Sequence, residues 1–237
     1  MTLAPVCILA GGLGTRLGAI ARGTPKPLVE VAGRPFVEHQ LDLLSAHGAR
    51  EVVLCVGHLG AQIEEVVGDG SAHGLAVRYS YDPPRLAGTA GAVRGALGLL
   101  PEDGFFVLYG DTYLRVDYRA VEIRFRQSGA PALMTVLRNE GRWDVSNARV
   151  ASERVVAYDK VSPSPDMTWI DYGLSMLTHR AFAVVADDEP DLATVFGELA
   201  RRGDLASYEA TQRFYEIGSP AAREETSAFL ATYDPTR

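Results

Sequence analysis

A glycine-rich stretch directly after the first apolar run restricts this chain more than any other feature of its sequence. Residues 8–18 read ILAGGLGTRLG and contain four glycines, one arginine and one threonine. Glycines leave backbone N–H groups accessible, and a turn that follows a strand can hold phosphate oxygens with them. The stretch therefore predicts either an anion-binding loop at the end of a first strand or an ordinary surface turn.

Two common nucleotide-binding motifs do not fit this stretch. A dinucleotide fingerprint requires a third glycine, and Leu17 occupies that position after Gly12 and Gly14. A P-loop requires a lysine after its last glycine, and Ala19 follows Gly18. Two interpretations are left: a phosphate-binding loop of another kind, in which Arg16 supplies a fixed charge, or a simple surface turn.

Short apolar runs alternate with helical patterns through the first half of the chain. This rhythm predicts a parallel sheet with helices on both faces. The middle of the chain lacks helices between its strand-like runs, which predicts antiparallel or mixed pairs there. Near the end, LASYEA and RFYEIG predict a last hairpin. The strand-like runs are PVCILA, EVVLCVG, VRYSYD and FFVLYGD, then ALMTVL, ARVAS, RVVAYDK and WIDYGLSML.

Composition limits the class of protein and its partners. The 237 residues are 47% hydrophobic, which suits one globular domain over residues 1–237. The net charge of −7 disfavours a nucleic-acid partner. We expect a cytoplasmic protein without a membrane partner, because no signal peptide or bilayer-spanning run is recognisable. Cys7 and Cys55 lie in apolar runs and are expected to be buried free thiols.

Three further positions carry charge or backbone donors next to predicted strand ends. Lys26 lies between Pro25 and Pro27, so a stiff segment presents it as a point charge for a polyphosphate or as an exposed turn lysine. The segment GTAGA begins a predicted helix whose free N–H groups admit a phosphate or a flat ring. Asp111 ends the strand FFVLYGD, where it is either a divalent-metal ligand or a turn cap.

Taken together and in order, these segments resemble the sugar-1-phosphate nucleotidyltransferases, and within them the short D-glycero-D-manno-heptose 1-phosphate guanylyltransferases. The segments are LAGGLGTRL, PKPL, GTAGA, the GD after an apolar strand, VVAYDK, WIDYGLSML and YEIGSP. The resemblance implies an α/β fold, a Rossmann-like three-layer α/β/α sandwich with a mixed, mainly parallel central sheet. It divides the domain into a nucleotide-binding part at about 1–115, a sugar-phosphate-binding part at about 116–220 and a closing helix at 219–233.

The resemblance also implies a reaction. A nucleoside triphosphate and a sugar 1-phosphate would give a nucleotide-sugar and pyrophosphate, with Mg²⁺ as cofactor and a homodimer as the family-level expectation. GTP and D-glycero-D-manno-heptose 1-phosphate are the preferred pair. A uridylyl- or thymidylyltransferase acting on a hexose or N-acetylmuramic acid 1-phosphate is the alternative, and a non-catalytic nucleotide-sugar sensor is an alternative of another class.

Residue roles follow from the same resemblance. Glu216 stands where the family usually has an aspartate, so its longer side chain requires more room or a bridging water. Arg16, Lys26 and Asp111 would be catalytic, and Asp111 and Glu216 would bind the metal. The nucleotide would contact Leu9, Gly11, Gly12, Gly14, Thr15, Arg16, Gly88 and Thr89. The sugar phosphate would contact Ser146, Asn147, Lys160, Asp171, Tyr172 and Gly173.

Overall fold

A computed structural model describes residues 2–12, 23–83 and 87–235 of the chain. Several helices begin at residues whose side chains cap them: Asp117, Asp191 and Ser219 each accept a hydrogen bond from a backbone N–H of the first turn. The closing helix is shorter than the segment 219–233. The α-helices within the described ranges are α1 (Phe36–Ala46), α2 (Gly60–Val67), α3 (Gly88–Ala96), α4 (Tyr118–Ser128), α5 (Leu192–Arg202) and α6 (Pro220–Leu230).

The strands follow the apolar runs closely. Six of the longer ones are buried over most of their length, as expected for strands covered by helices on both faces. In chain order they are β1 (Val6–Leu9), β2 (Glu30–Val31), β3 (Arg34–Pro35), β4 (Glu51–Val56), β5 (Ala76–Tyr81), β6 (Phe105–Tyr109), β7 (Thr112–Tyr113), β8 (Ala132–Arg138), β9 (Ala148–Ala151), β10 (Arg154–Tyr158), β11 (Trp169–Leu177), β12 (Leu205–Ala210) and β13 (Tyr215–Glu216).

One nine-stranded sheet contains most of these strands, in the order β5-β4-β1-β6-β11-β8-β12-β10-β9. The first four are parallel to one another, as the alternation of strands and helices predicts. β11 runs antiparallel to β6 and β8, and β10 runs antiparallel to β12 and β9. β8 and β12 are parallel to each other. All strands of this sheet except β10 and β11 therefore run in one direction. The mixed, mainly parallel sheet is therefore confirmed.

The predicted last hairpin is wrong. β12 lies inside the large sheet between β8 and β10, where its apolar residues are buried. β13 instead pairs with β7, with Glu216 opposite Thr112. Local alternation indicated two strands correctly, but the partner of each strand is distant in sequence and is chosen by burial.

Helices cover both faces of the sheet. α1, α2 and α4 contribute apolar residues to the core on one face, and α3 and α5 contribute to the core on the other. A smaller cluster joins α1 and α6 around Tyr113 and Ile217, beneath the β7–β13 pair. The three-layer α/β/α arrangement is confirmed, and Cys7 and Cys55 lie buried and free within it.

No helix in the described ranges has the length and apolar character needed to cross a membrane.

Candidate functional site

The carboxyl ends of the parallel strands bring several of the expected residues to one edge of the sheet. Gly11 and Gly12 come shortly after β1, and Asp111 follows β6 after a single glycine. Open α/β sheets bind ligands at this edge. Gly14, Thr15 and Arg16 lie outside the described residues, so their roles stay predictions.

A carboxylate that the sequence analysis missed lies beside the first glycines. Asp82 follows β5 directly, and a Cβ added to Gly11 would approach its Oδ2 to 3.1 Å. The same oxygen would lie 3.2 Å from a Cβ added to Gly57, after β4. Burial raises the pKa of Asp82 above its ordinary value. In sequence, Asp82 shares with Asp111 its place directly after a strand, but the strand VRYSY is less apolar than FFVLY.

The start of α3 is tied to the start of α5. Gly88 has a φ of +71°, and a Cβ there would lie 2.3 Å from the carbonyl oxygen of Pro190. Only glycine meets both conditions without strain. The Thr89 hydroxyl donates to Asp191 at 3.0 Å and accepts from the backbone N–H of Leu192 at 2.8 Å. This hydroxyl therefore has two protein partners already.

Leu9 lies at the end of β1 and orients the turn that holds Asp111. Its carbonyl accepts a hydrogen bond from the backbone N–H of Gly110 at 3.0 Å. A Cβ on Gly110 would stand 2.7 Å from the same oxygen, so a larger residue would force the strands apart. Leu9 thus acts through its main chain.

Lys26 and Asp111 are in direct contact. The ammonium nitrogen lies 2.6 Å from Oδ2 of the carboxylate. Lys26 opens a short 3₁₀ turn whose preceding residue, Pro25, has an extended backbone. The lysine side chain is 12% exposed and the aspartate side chain 29%. The carboxylate therefore stays accessible while the lysine stem is buried. The edge of the sheet that carries Gly11, Asp82 and Asp111 is called the cleft below.

Glu216 reaches the Asp111 turn through its backbone. The N–H of Ile217 donates to the Asp111 carbonyl at 3.0 Å, beside the β7–β13 pair. The Glu216 carboxylate accepts from the N–H of Gly218 at 2.8 Å. The described ranges contain no group of three or more metal-ligating side chains. Two carboxylates nevertheless suit Mg²⁺, which binds through one or two protein carboxylates together with water and substrate phosphates.

A second lysine–aspartate pair lies on the far side of β6. Asp171 accepts from the Tyr158 hydroxyl at 2.9 Å and from the N–H of Gly173 at 3.0 Å. Lys160 lies 3.2 Å from the same carboxylate. Gly173 has a φ of +95°, which lets its N–H turn back toward Asp171.

Lys160 is held between two aromatic rings. Its ammonium lies 5.2 Å from the ring centre of Tyr109 and 5.8 Å from that of Tyr158. Burial alone lowers the pKa of Lys160, but the charge of Asp171 and hydrogen bonds outweigh it, so the net pKa lies above the ordinary value. Burial and the charge of Asp171 raise the pKa of Tyr109 to about 12. Lys160 is therefore a permanent cation at neutral pH.

The loop before β9 supports this pair from the backbone side. Asn147 accepts through its Oδ1 from the N–H of Asp171 at 2.9 Å. The Ser146 hydroxyl accepts from the buried amide of Asn139 at 3.0 Å. Asn147 therefore lies beside Asp171, Ser146 precedes it in the same loop, and both side chains are engaged in protein contacts.

Tyr172 does not line the cleft with its side chain. The ring is 1% exposed and packs in the core, and its hydroxyl donates to the Arg115 carbonyl at 3.3 Å. Successive strand residues point to opposite faces, so this ring points away from Asp171. The expectation that its side chain contacts sugar is not supported by its position. Tyr109 and Tyr158, which the sequence analysis did not select, contact Lys160 instead.

Comparison with known proteins finds relatives that match about half of the chain or more. An N-acetylmuramate alpha-1-phosphate uridylyltransferase from Neisseria meningitidis is 42% identical over 113 residues, 48% of this chain and 49% of the relative. A mannose-1-phosphate guanylyltransferase from Mycobacterium tuberculosis is 31% identical over 218 residues, 90% of this chain and 60% of the relative. The chain thus matches about half to three fifths of the length of these relatives.

A solved structure shows the same fold over nearly the whole chain. The inositol-1-phosphate CTP transferase from T. maritima superposes with a TM-score of 0.81, covers 98% of both chains and is 18% identical. The family model described as nucleotidyl transferase matches residues 6–143, more than half of the sequence. This chain belongs to the nucleotidyl transferase family.

Proposed function

We propose that the chain transfers a nucleotidyl group from a nucleoside triphosphate to a sugar 1-phosphate, giving a nucleotide-sugar and pyrophosphate. The observation that carries the proposal is the pairing of Lys26 with Asp111 and of Lys160 with Asp171 on the two sides of Tyr109. In the first pair the Asp111 carboxylate is the more exposed partner, and in the second pair it is the Lys160 ammonium. The first is suited to a cation-bound triphosphate and the second to a phosphate monoester.

In the proposed reaction, a phosphate oxygen of the sugar 1-phosphate attacks the α-phosphorus of the triphosphate. A new phosphorus–oxygen bond forms, the bond between the α- and β-phosphates breaks, and pyrophosphate leaves. Lys26 lies beside Asp111 and would neutralise charge on the phosphoryl oxygens, with Arg16 acting on the leaving phosphates. Lys160 would hold the attacking phosphate. Most of the acceleration would come from positioning and charge, as in other phosphoryl transfers.

We propose Asp111 and Glu216 as the residues that hold Mg²⁺. Their main chains adjoin, since Ile217 donates to the Asp111 carbonyl, and both supply hard carboxylate oxygens. The ion would supply charge neutralisation at the phosphates. Because Glu216 is already bonded to the N–H of Gly218, its carboxylate must turn, or act through water, to join the site.

The nucleotide would lie along Leu9, Gly11, Gly12, Gly14 and Thr15, with its base toward Gly88 and Thr89. GTP is the proposed substrate, and Asp82 supports it. A half-buried carboxylate beside Gly11 can accept two hydrogen bonds from the adjacent N1 and N2 donors of guanine, whereas uracil presents one donor between two acceptors. The Thr89 hydroxyl has partners already, so its contact with the base would come from its backbone.

D-glycero-D-manno-heptose 1-phosphate is the proposed sugar, bound by Lys160, Asp171, Gly173, Ser146 and Asn147. The guanylyltransferase that aligns with most of this chain acts on a manno-configured sugar phosphate by its name. The Neisseria relative favours a second candidate, uridylyl transfer to N-acetylmuramic acid 1-phosphate, because its identity over the 113 aligned residues is higher. A homodimer remains a prediction.

Pyrophosphate release tests the proposal. The chain would be assayed with Mg²⁺ against all four ribonucleoside triphosphates and thymidine triphosphate, each with heptose, mannose, glucose and N-acetylmuramic acid 1-phosphates. We expect the highest kcat/KM for GTP with the heptose phosphate. Nucleotide binding without pyrophosphate release on every pair would indicate a sensor instead.

A matched variant tests the choice of base. Asp82→Asn replaces one acceptor oxygen by a donor, so discrimination for GTP over UTP should fall by about tenfold or more, the weight of about one charged hydrogen bond. Turnover with the preferred sugar phosphate should otherwise persist. An unchanged ratio of kcat/KM values for GTP and UTP would remove Asp82 from the base site.

A further inference from the structure

Helix α1 places one polar side chain inside the core, beneath the turn that carries Asp111. The residues of α1 that are buried are Phe36, Val37, Gln40, Leu41, Leu43 and Leu44, and Gln40 is the polar member of this set. It is 1% exposed. A buried amide is costly unless it is bonded, so its bonds show what it does there.

Both donors of Gln40 go to the two carbonyls that flank Gly110 and Asp111. Its Nε2 donates to the carbonyl of Tyr109 at 3.0 Å and to that of Thr112 at 2.7 Å. Because both partners are acceptors, only the nitrogen side of the amide can face them. Its Oε1 is buried and has no hydrogen-bond partner in the described part of the chain. Core packing alone would favour an apolar side chain at this position.

Several hydrogen bonds hold this turn. Gln40 supplies two of them from a side chain of another element, and the Thr112 hydroxyl donates to the Tyr109 carbonyl at 3.1 Å from within the turn. Leu9 fixes Gly110 from β1, and Ile217 fixes the Asp111 carbonyl from β13. Gln40 joins the last residue of β6 to the first residue of β7, and so fixes the Tyr109–Gly110 and Thr112–Tyr113 peptide groups, one on each side of the Gly110–Asp111 turn. If these peptide groups rotate, the Asp111 carboxylate moves with them.

We infer that Gln40 is a positioning residue, which holds the Gly110–Asp111 turn so that the Asp111 carboxylate can bind a divalent cation. This inference rests on the proposed function for the cation role, while the anchoring of the turn is tested separately. Residues that hold a metal ligand in place typically contribute about 10- to 100-fold to metal affinity or activity.

Gln40→Met tests the inference, since methionine has a similar length and no donor. Hydrogen–deuterium exchange of residues 105–116 should become at least severalfold faster, because the turn opens more often. The dissociation constant for Mn²⁺ alone, measured by electron paramagnetic resonance, should rise about tenfold. KM for the sugar phosphate should stay within about twofold of the unchanged chain, because the anchor lies on the cation side of the site.

Thr178→Val is the matched control. Thr178 is also buried and donates to a backbone carbonyl, that of Pro131 at 3.0 Å, but it follows β11 at the opposite edge of the sheet. It should lose a similar amount of stability without changing exchange at residues 105–116 or Mn²⁺ binding. If Gln40→Met does not fold, Gln40→Asn keeps the amide one methylene shorter and should show the same changes at smaller size.

The outcomes separate the two proposals. Unchanged exchange at residues 105–116 in a folded Gln40→Met or Gln40→Asn variant would overturn the positioning role. Faster exchange with unchanged Mn²⁺ affinity would overturn its link to the cation. A wild-type chain that binds Mn²⁺ but releases no pyrophosphate with any substrate pair would contradict the proposed function and leave the role of Gln40 supported.

Discussion

The two lysine–aspartate pairs of the cleft differ in which partner is the more exposed. In the pair of Lys26 and Asp111 the lysine side chain is 12% exposed and the acid 29%. In the pair of Lys160 and Asp171 the lysine side chain is 39% exposed and the acid 5%. The same two residue types therefore present a carboxylate on one side of Tyr109 and an ammonium on the other.

This reversal follows from where each acid lies in the sheet. Asp111 follows a parallel strand and a glycine, so its carboxylate lies at the open edge and has one ion-pair partner, Lys26, among the described residues. Asp171 lies within β11, where Tyr158, Gly173 and Lys160 surround its carboxylate. A buried charge is tolerated only when it is paired and hydrogen-bonded, so Asp171 serves as the support and Lys160 as the presented group.

Removing the exposed carboxylate should have the largest effect. In Asp111→Asn the oxygen charge that faces the cleft is lost, and kcat should fall by about 10²- to 10³-fold, as for other charge-stabilising groups in active sites. Steady-state kinetics at saturating substrates, with melting temperature as the check on folding, measures this. Glu216→Gln should also lose most turnover if it shares the cation.

Asp103→Asn is the matched control for Asp111→Asn. Asp103 lies shortly before β6, at the other end of the same strand, and pairs with Arg126 at 3.4 Å. Its removal should leave kcat within about twofold, because an exposed ion pair contributes little. Near-normal Mg²⁺-dependent turnover in both Asp111→Asn and Glu216→Gln would show that the open side of the cleft is not a cation site.

Removing the exposed ammonium should have a smaller effect, confined to one substrate. Lys160→Met removes a charged donor but keeps an apolar stem between Tyr109 and Tyr158. KM for the sugar phosphate should rise about 30-fold, equivalent to a charged hydrogen bond of about 2 kcal/mol. The KM for the nucleotide should change little, which initial-rate measurements with each substrate varied in turn would establish.

Lys160→Arg is the charge-retaining control and should recover part of the sugar-phosphate affinity. A Lys160→Met variant whose nucleotide KM rises as much as its sugar-phosphate KM would break the division of roles between the two pairs. If the KM values for both substrates are unchanged in Lys160→Met, Lys160 is not part of the site.

The open side of the cleft was predictable from sequence because its signals are local. An apolar strand followed by glycine and an acid identifies Asp111, and two prolines identify the stiffness around Lys26. Asp82 carries only part of this signal, because its strand AVRYSY is only partly apolar and no glycine precedes the acid. What could not be read was that Lys26 and Asp111 touch, since 85 residues separate them.

The enclosed side was less predictable because its contacts cross antiparallel strands. Asp171 and Tyr172 are neighbours in sequence, yet one faces the cleft and the other packs in the core, so a motif that includes both cannot assign side-chain roles. Tyr158 and Tyr109 resemble ordinary core aromatics in their apolar strands. Gln40 likewise gave no signal, because one polar residue in an amphipathic helix usually faces solvent.

Tyr158→Phe should have the smallest effect and tests whether Asp171 is a support. The variant removes the hydroxyl donor to a carboxylate that Lys160 and the Gly173 N–H continue to hold. Losing a single hydrogen bond of about 1 kcal/mol should raise the sugar-phosphate KM about fivefold at unchanged kcat. Tyr79→Phe loses a comparable bond, from its hydroxyl to the Gly68 carbonyl, and should leave that KM unchanged. If Tyr158→Phe lowers kcat more than Lys160→Met does, Asp171 itself takes part in turnover. The contrast between an exposed Lys160 ammonium and a buried Asp171 that only supports it would then be wrong.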